Sequence, residues 1–134
     1  MPLVFSTAVK EIISYSFEEA SRLGNTTIRP EHLLLGIMKS KNNSACRLLE
    51  KMHVDLEELR KEVETSIQKD NESLRSFGFL RSIPLDKGAE SVITGAKIEA
   101  KSLHTNEVGA DHLMLSMLKD DAFASQIISH IRQN

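Results

Sequence analysis

The sequence of 134 residues predicts an all-α domain made of two related helical repeats. The chain matches itself when it is shifted by 80 residues, and the matching positions are mostly apolar and helically spaced. The chain has no Trp and few other aromatic residues, so aliphatic side chains and Met must fill the core. Such a core suits helices packed on helices, and we expect a pseudo-twofold axis between the repeats.

Identical residues recur at this spacing along the first part of each repeat. The pairs are Ile13 and Ile93, Glu19 and Glu99, Ala20 and Ala100, Leu23 and Leu103, His32 and His112, Leu33 and Leu113, Leu35 and Leu115, and Lys39 and Lys119. After one deleted residue the match resumes, with Leu48 on Ile127. The pattern predicts a first repeat over 5–68, a linker over 69–84 and a second repeat over 85–134.

Four helices are predicted in the first repeat. Ser6 is a good N-cap for the first helix, and Gly24 is placed to end it in a left-handed conformation. Pro30 suits the first turn of the second helix. A third helix is predicted over 44–52. Asp55 then starts the fourth helix, which we expect to continue to about Gln68. The apolar stripe of the first helix consists of Ala8, Val9, Ile12, Ile13, Ser16, Ala20 and Leu23.

The linker begins with polar residues but also contains Phe77, Phe79, Leu80 and Ile83. We expect this strand-like segment to lie along the helices, although an exposed docking patch is an alternative.

The second repeat is predicted to contain three helices. Asp86 should cap the first of these, which runs to about Leu103, and short helices follow over 111–119 and 122–131. The alignment stops where the fourth helix of this repeat would begin, either because the sequence is a piece of a longer chain or because the repeat lacks that helix. We therefore expect seven helices in this sequence.

Composition excludes several classes of function. The net charge of -2 gives no basic surface for a nucleic-acid backbone or an anionic membrane. No apolar run is long enough to span a bilayer, and no signal peptide is visible. The single cysteine rules out an internal disulfide and is consistent with a reducing compartment. We therefore expect a cytoplasmic protein.

A few residues are of types that bind metals or act in catalysis, but each has a simpler structural explanation. His32 and His112 have no second metal ligand at helical spacing, so each is expected to be a structural histidine hydrogen-bonded between helices. Cys46 has no neighbouring catalytic motif and is expected to be buried as a small apolar side chain. Glu18 and Glu19 are consecutive and do not share a helix face, so both are expected to be solvated. No metal site is predicted.

Two motifs resemble a known family. The segment Arg22-Leu23-Gly24-Asn25, followed by Glu31-His32-Leu33-Leu34-Leu35-Gly36-Ile37, closely resembles the Clp N-terminal repeat. A second, weaker copy runs from Glu99 to Leu103 and from Asp111 to Leu115. The ClpC branch of the family is the most similar, and the resemblance covers nearly the whole chain.

This resemblance implies a non-enzymatic docking domain. In the family, the double repeat stands at the front of a hexameric ATPase and binds adaptors and unfolded or tagged substrates, which the rings unfold into a protease. No phosphate-binding loop occurs in this chain, so ATP and magnesium are expected only in the ATPase rings, and no cofactor is expected here.

The resemblance also suggests binding residues. In some ClpC-type domains, the acid before the histidine of each repeat pairs with phosphorylated arginine. The matching residues are Glu31 and Asp111, preceded by Arg29-Pro30 and Gly109-Ala110 where the family has Gly-Thr. We therefore take Glu31, Asp111, Arg29 and Gly109 as candidate substrate- or adaptor-binding residues, with a simple acid at a positive helix end as the alternative.

Two other functions are kept as alternatives. The first alternative is a free-standing accessory protein that docks on a Clp complex without ATPase rings of its own. A small hydrolase or thiol enzyme is the third possibility, but no nucleophile–base pair is visible in the sequence.

Overall fold

A computed structural model describes residues 2–67, 83–120 and 122–133 of the chain. The helices in these ranges are α1 (Thr7–Arg22), α2 (Pro30–Ser40), α3 (Ser44–Lys51), α4 (Leu56–Ser66), α5 (Lys87–Ser102), α6 (Ala110–Asp120) and α7 (Ala122–Gln133). The prediction of an all-α fold is confirmed, and the described ranges contain seven helices, which is the number predicted. None of the helices in the described ranges is both long and apolar enough to cross a bilayer.

Two very short strands add to the predicted helices. The strand β1 (Val4–Phe5) pairs in parallel with β2 (Glu107–Val108), so that Phe5 lies opposite Val108. A second parallel bridge joins Ile28 to Leu85. A two-residue strand is too short to show an alternating pattern, and the sequence analysis did not predict this pairing.

The two strand contacts are copies of each other at the repeat spacing. The backbone N–H of Ser6 donates to the carbonyl of Val108 at 2.9 Å, and that of Asp86 donates to the carbonyl of Ile28 at 2.9 Å. Each repeat therefore extends its leading segment onto the loop between the first two helices of the other repeat. This exchange is the pseudo-twofold relation that the sequence predicted.

The helix ends follow the predicted signals. Ser6 and Asp86 cap α1 and α5, because their side chains accept hydrogen bonds from the backbone N–H groups of Val9 and Ala89. Asp55 caps α4 in the same way. The predicted extension of α4 to Gln68 reaches one residue beyond the described part, and the described helix ends at Ser66.

The turn after the first helix of each repeat requires a left-handed residue. Gly24 has φ 78° after α1, as predicted, and His104 occupies the equivalent position after α5 with φ 59°. The next amides close both turns alike: Asn25 donates to the Ala20 carbonyl, and Thr105 to the Ala100 carbonyl. The same backbone conformation thus forms with different residue types.

The first two helices of each repeat approach closely, and a hydroxyl group lies at each crossing. In the first repeat, the Ser16 Oγ on α1 donates to the Ile12 carbonyl at 2.7 Å, and Gly36 on α2 lies against both. In the second repeat, the hydroxyl comes from the facing helix, because the Ser116 Oγ on α6 donates to the Val92 carbonyl at 2.7 Å. Val92 is the repeat equivalent of Ile12.

The core is mostly aliphatic and joins the two repeats. Large, fully buried side chains come from α1 to α4, α6 and α7, and they include Ile12, Leu33, Leu34, Ile37, Leu49, Leu59, Leu113, Met114, Met117 and Ile128. Ile83 is also buried, whereas Phe77, Phe79 and Leu80 of the predicted strand-like segment lie outside the described residues. The prediction for that segment therefore remains a prediction.

Candidate functional site

The candidate binding residues stand at the start of the second helix in each repeat. Arg29 and Glu31 begin α2, and Gly109 and Asp111 occupy the equivalent positions at α6. Gly109 and Asp111 line a cleft of about 410 Å³, whereas Arg29 and Glu31 are not part of its lining. The two predicted pairs thus do not meet in this cleft.

The cleft lies where the N-terminal ends of three helices converge. Its lining comes from the starts of α1, α3 and α6 and from the loop before β2, and it consists of Ser6, Ala8, Asn42, Asn43, Ser44, Arg47, Thr105, Glu107, Gly109, Ala110, Asp111 and His112. Only Gly109 and Asp111 were predicted as site residues. The α3 residues were missed, because the cleft depends on packing between α3 and α6, which no local pattern reveals.

The α3 wall of the cleft is held by hydrogen bonds. The Asn43 Oδ1 accepts from the backbone N–H of Cys46 at 2.9 Å, and its Nδ2 donates to the Ile37 carbonyl at 3.0 Å. The neighbouring Ser44 Oγ accepts from the backbone N–H of Asp111 at 2.9 Å. This last bond joins the two repeats across 67 residues of chain and fixes the Ser44 hydroxyl beside the start of α6.

Asp111 presents its carboxylate to solvent at the edge of the cleft. Its side chain is 48% exposed and lies beside Gly109. A Cβ placed on Gly109 would stand 2.6 Å from the Asp111 Oδ1. Any larger residue at position 109 would therefore displace the Asp111 carboxylate. Gly109 therefore contributes to the site through the space that it leaves open.

The two repeated histidines have a structural role. The His32 Nδ1 accepts from the backbone N–H of Arg29 at 2.8 Å, and the His112 Nδ1 accepts from that of Gly109 at 2.9 Å. Each histidine thus satisfies the N-cap amide of its own helix, as a Glu or Gln does in a capping box. The sequence analysis expected a hydrogen bond between helices, but each histidine bonds the start of its own helix instead. The buried His32 Nε2 also contacts the Asn25 Oδ1 of the preceding loop at 2.9 Å.

The cleft offers charges of both signs. The N-terminal ends of α1, α3 and α6, where the helix dipoles are partly positive, lie at the cleft, and the exposed Arg47 adds a full positive charge. Asp111 and Glu107 add carboxylates to the lining of the cleft. Such a surface suits polar peptide groups, or a ligand that combines a cation with an anion.

A second groove, of about 770 Å³, lies between α1, α2 and α4 and contains an ion-pair network. Arg22 bonds Glu19 at 2.9 Å and Glu64 at 2.5 Å. The hydrogen bond from Arg22 lowers the pKa of the buried Glu19 despite its burial. The expectation of a solvated carboxylate was therefore wrong for Glu19, while Glu18 is exposed as predicted.

The sequence held a signal for this buried carboxylate. Glu19 and Lys39 both recur in the second repeat as Glu99 and Lys119, and both pairs form ion pairs, at 3.9 Å and 2.5 Å. Residues that recur together in facing helices indicate a contact. Because Arg22, Glu19, Glu64 and Lys39 pair with one another along the second groove, these charges hold α1, α2 and α4 together.

Cys46 is fully buried and its Sγ donates to the Ile37 carbonyl at 3.2 Å, as expected of a structural thiol. Burial raises the pKa of the thiol, which keeps it protonated and unreactive. Within the described ranges, no group of three or more His, Cys, Asp and Glu side chains is arranged to hold a metal ion.

Comparison with known proteins places these features in a family. Residues 4–131 match the family described as the Clp repeat (R) N-terminal domain. The chain is 32% identical over 126 residues to the ATP-dependent Clp protease ATP-binding subunit ClpC of Staphylococcus saprophyticus, covering 93% of this chain and 15% of that protein. It is 33% identical over 132 residues to the ATP-dependent Clp protease ATP-binding subunit ClpA homolog of Trieres chinensis, covering 97% of this chain and 14% of that protein.

Solved structures agree on the fold. The N-terminal domain of Hsp104 from Candida albicans superimposes with a TM-score of 0.77 at 18% identity, covering 96% of this chain and 81% of that one. The N-terminal domain of the chaperone ClpD from Arabidopsis thaliana gives 0.72 at 16% identity, covering 94% and 82%. The family match over nearly the whole sequence, the doubled motif and the shared fold lead to one conclusion: this chain belongs to the Clp repeat (R) N-terminal domain family.

Proposed function

We propose that this domain docks adaptor proteins and unfolded or tagged substrates for a ClpC-like, ATP-driven unfoldase that delivers them to a protease. The observation that carries the proposal is the cleft between the repeats, where three helix N-termini, Arg47 and the half-exposed Asp111 face solvent together. A docking role needs a rigid surface with fixed polar groups, and it needs no nucleophile or metal. The chain spans about a seventh of the length of the curated relatives named above. The ATPase, the hexamer and the protease ring are therefore part of the proposal.

The chemistry of the cleft favours a tag with both a positive and a negative part, such as phosphoarginine. The Asp111 carboxylate would pair with the guanidinium group, while backbone N–H groups and hydroxyls would hold the phosphate. The family's Thr is replaced by Ala110, but the Ser44 hydroxyl lies 2.9 Å from the Asp111 backbone nitrogen and supplies a nearby hydroxyl from α3. Glu31 would act in the equivalent way in the first repeat, where Arg29-Pro30 removes one backbone N–H donor.

Calorimetric titration of the purified domain with free phosphoarginine tests the tag. We expect one dominant site, lost in Asp111→Ala and weakened in Ser44→Ala, with a smaller effect of Glu31→Ala. Free arginine and inorganic phosphate are the matched ligands, and each should bind more weakly than the conjugate. Absence of heat with phosphoarginine removes this tag from the proposal.

A separate experiment tests docking itself. A photo-crosslinker at Thr105, on the wall of the cleft, is compared with one at Ile98, on the exposed side of α5. In cells we expect the first position to capture Clp adaptors or proteins that the Clp protease degrades, and the second position to capture fewer. Equal capture at both positions, or capture of neither class of protein, contradicts the proposal.

A further inference from the structure

The side chain of His112 lies where it can exchange one hydrogen-bond partner for another. Its Nδ1 accepts from the backbone N–H of Gly109 at 2.9 Å, and the Asp111 Oδ1 lies 3.7 Å from the same nitrogen. Because Nδ1 accepts the bond from Gly109, it carries no proton, and the neutral ring has its proton on Nε2. The amide is therefore the partner of the neutral ring, and the carboxylate is the partner available to a charged ring.

A proton taken up from solvent at Nδ1 turns this acceptor into a donor. The Gly109 N–H would then face another N–H, so the bond between them must break. A hydrogen bond from a charged ring to a carboxylate is roughly twice as strong as a neutral one. A movement of the Asp111 carboxylate by about 1 Å forms this bond, and because the Asp111 side chain is 48% exposed, few neighbours oppose the movement.

The two repeated histidines differ in their access to the cleft. His112 is part of the lining and is 6% exposed, whereas His32 is fully buried. The His32 Nε2 contacts the Asn25 Oδ1 at 2.9 Å, so both of its ring nitrogens have protein partners that suit the neutral ring. At the position of Asn25 the second repeat has Thr105, whose hydroxyl donates to the Glu107 carbonyl at 3.0 Å instead. Proton uptake from solvent in the cleft is therefore expected at His112.

The charges around His112 determine what this exchange does to a ligand. Arg47 of α3 and Glu107 of β2 line the cleft with Asp111, and the α1 residues in the lining, Ser6 and Ala8, are uncharged. The other elements packed on α6 carry charges that are not part of the lining, and these include Lys97 and Glu99 on α5 and His130 and Arg132 in the last turn of α7. While His112 is neutral, the lining has two carboxylates and one cation, and it favours a cationic group. A charged His112 cancels this excess.

We propose that His112 determines whether the cleft binds a cationic group. Neutral His112 holds the Gly109 amide and leaves the Asp111 carboxylate available to a guanidinium or ammonium group of a docked protein. Charged His112 pairs with Asp111 and withdraws this carboxylate from the ligand. His112 is thus a positioning residue that acts through Asp111. The effect on ligands rests on the docking function proposed above, whereas the exchange of partners is a property of the domain alone.

NMR titration of the ¹⁵N-labelled domain from about pH 8 to pH 5, the range in which histidine side chains change charge, tests the exchange. The Gly109 amide signal should move together with the ring signals of His112, at one midpoint. Asp111→Asn should weaken proton binding at His112 about threefold, because the charged ring loses its carboxylate partner. His112→Gln should leave the Gly109 amide signal constant, since a Gln at this position accepts the same bond and does not titrate. His130→Gln, at an exposed position on α7, is the control and should leave the midpoint unchanged.

Calorimetry with phosphoarginine at about pH 8 and pH 6 tests the effect on a ligand. The affinity of the parent domain should fall about fivefold more than that of the His112→Gln domain, because only the parent withdraws Asp111 from the guanidinium group. Protonation of phosphoarginine itself affects both domains equally, so the comparison removes it.

Three results overturn the proposal. They are a Gly109 amide signal that does not follow His112, an Asp111→Asn midpoint equal to that of the parent, and an equal loss of phosphoarginine affinity in the parent and the His112→Gln domain. If amide signals throughout the domain change at the same midpoint, protonation unfolds the domain and the local exchange is refuted. If phosphoarginine binds at neither pH, the tag in the proposed function is wrong, and the NMR titration alone decides the exchange at His112.

Discussion

Substitution of Gly36 by alanine tests the close crossing of α1 and α2. A Cβ at this position would stand 2.5 Å from the Ile12 carbonyl oxygen and 2.6 Å from the Ser16 Oγ, where ordinary contacts are 3.4–4 Å. The carbonyl belongs to the backbone and cannot rotate away, so the helices must separate by almost 1 Å. Such a gap removes a quarter to a half of the dispersion energy of the atoms that it parts.

The expected loss can be estimated from two opposing effects. Overpacking in a core costs about 1–3 kcal/mol, and the upper end applies because the nearest atom is backbone. Replacing a helical glycine by alanine returns about 1 kcal/mol through helix propensity. We therefore expect Gly36→Ala to lower the free energy of unfolding by about 2 kcal/mol, and Tm by roughly 6–10 °C.

Urea denaturation followed by circular dichroism measures this change, with Gly95→Ala as the matched control. Gly95 lies beside Thr94 and Ile98 at the surface of α5, so alanine there should stabilise the domain slightly. The second repeat also suggests a rescue, because it has Ala96 and Ser116 where the first has Ser16 and Gly36. The double variant Ser16→Ala, Gly36→Ser copies this pair, and it should recover part of the free energy of unfolding that a substitution at Gly36 removes. A Gly36→Ala domain as stable as the parent would refute the close approach.

Three further predictions concern stability. His104→Gly should raise the free energy of unfolding by about 0.5–1 kcal/mol, because φ 59° strains any side chain; thermal melting measures it, and a lower Tm would contradict it. The lowered pKa of Glu19 means that its ion pair stabilises the fold above the ordinary value of 4.5 and that this stability is lost as the pH falls below it. Glu19→Gln should therefore flatten the acid limb of a pH–stability curve, and an unchanged limb would exclude the pair as its source. Asn43→Ala should cost about 1–2 kcal/mol in urea denaturation through the lost cap of α3, whereas a Ser replacement, which can still cap, should cost less.

How much of the fold could be predicted depended on how far apart in the chain the interacting residues lie. Caps at Ser6, Asp55 and Asp86 are local, because the capping side chain bonds an amide three residues away, and the sequence located all of them. The repeat spacing carried long-range information and correctly predicted the pseudo-twofold relation. The strand pairing of Phe5 with Val108 was missed, since two residues show no period.

The candidate site was predicted only in part for the same reason. The doubled motif located Gly109 and Asp111, but the opposite wall of the cleft comes from α3, and Ser44 meets Asp111 through tertiary packing alone. The prediction for Glu19 was wrong because two consecutive carboxylates in a sequence are typical of a solvated surface. The recurrence of Glu19 as Glu99, together with that of Lys39 as Lys119, indicated an ion pair between helices that both repeats form.

The exchange of leading segments between the repeats has a consequence for how this domain could have arisen. Because Ser6 bonds Val108 and Asp86 bonds Ile28 in the same geometry, a protein with only one repeat could satisfy both bonds by pairing with a second copy of itself. Such an ancestor would be an isologous dimer, and gene duplication would convert it into one chain without a new contact. Subsequent divergence could then assign a different ligand to each half while the shared scaffold stayed unchanged.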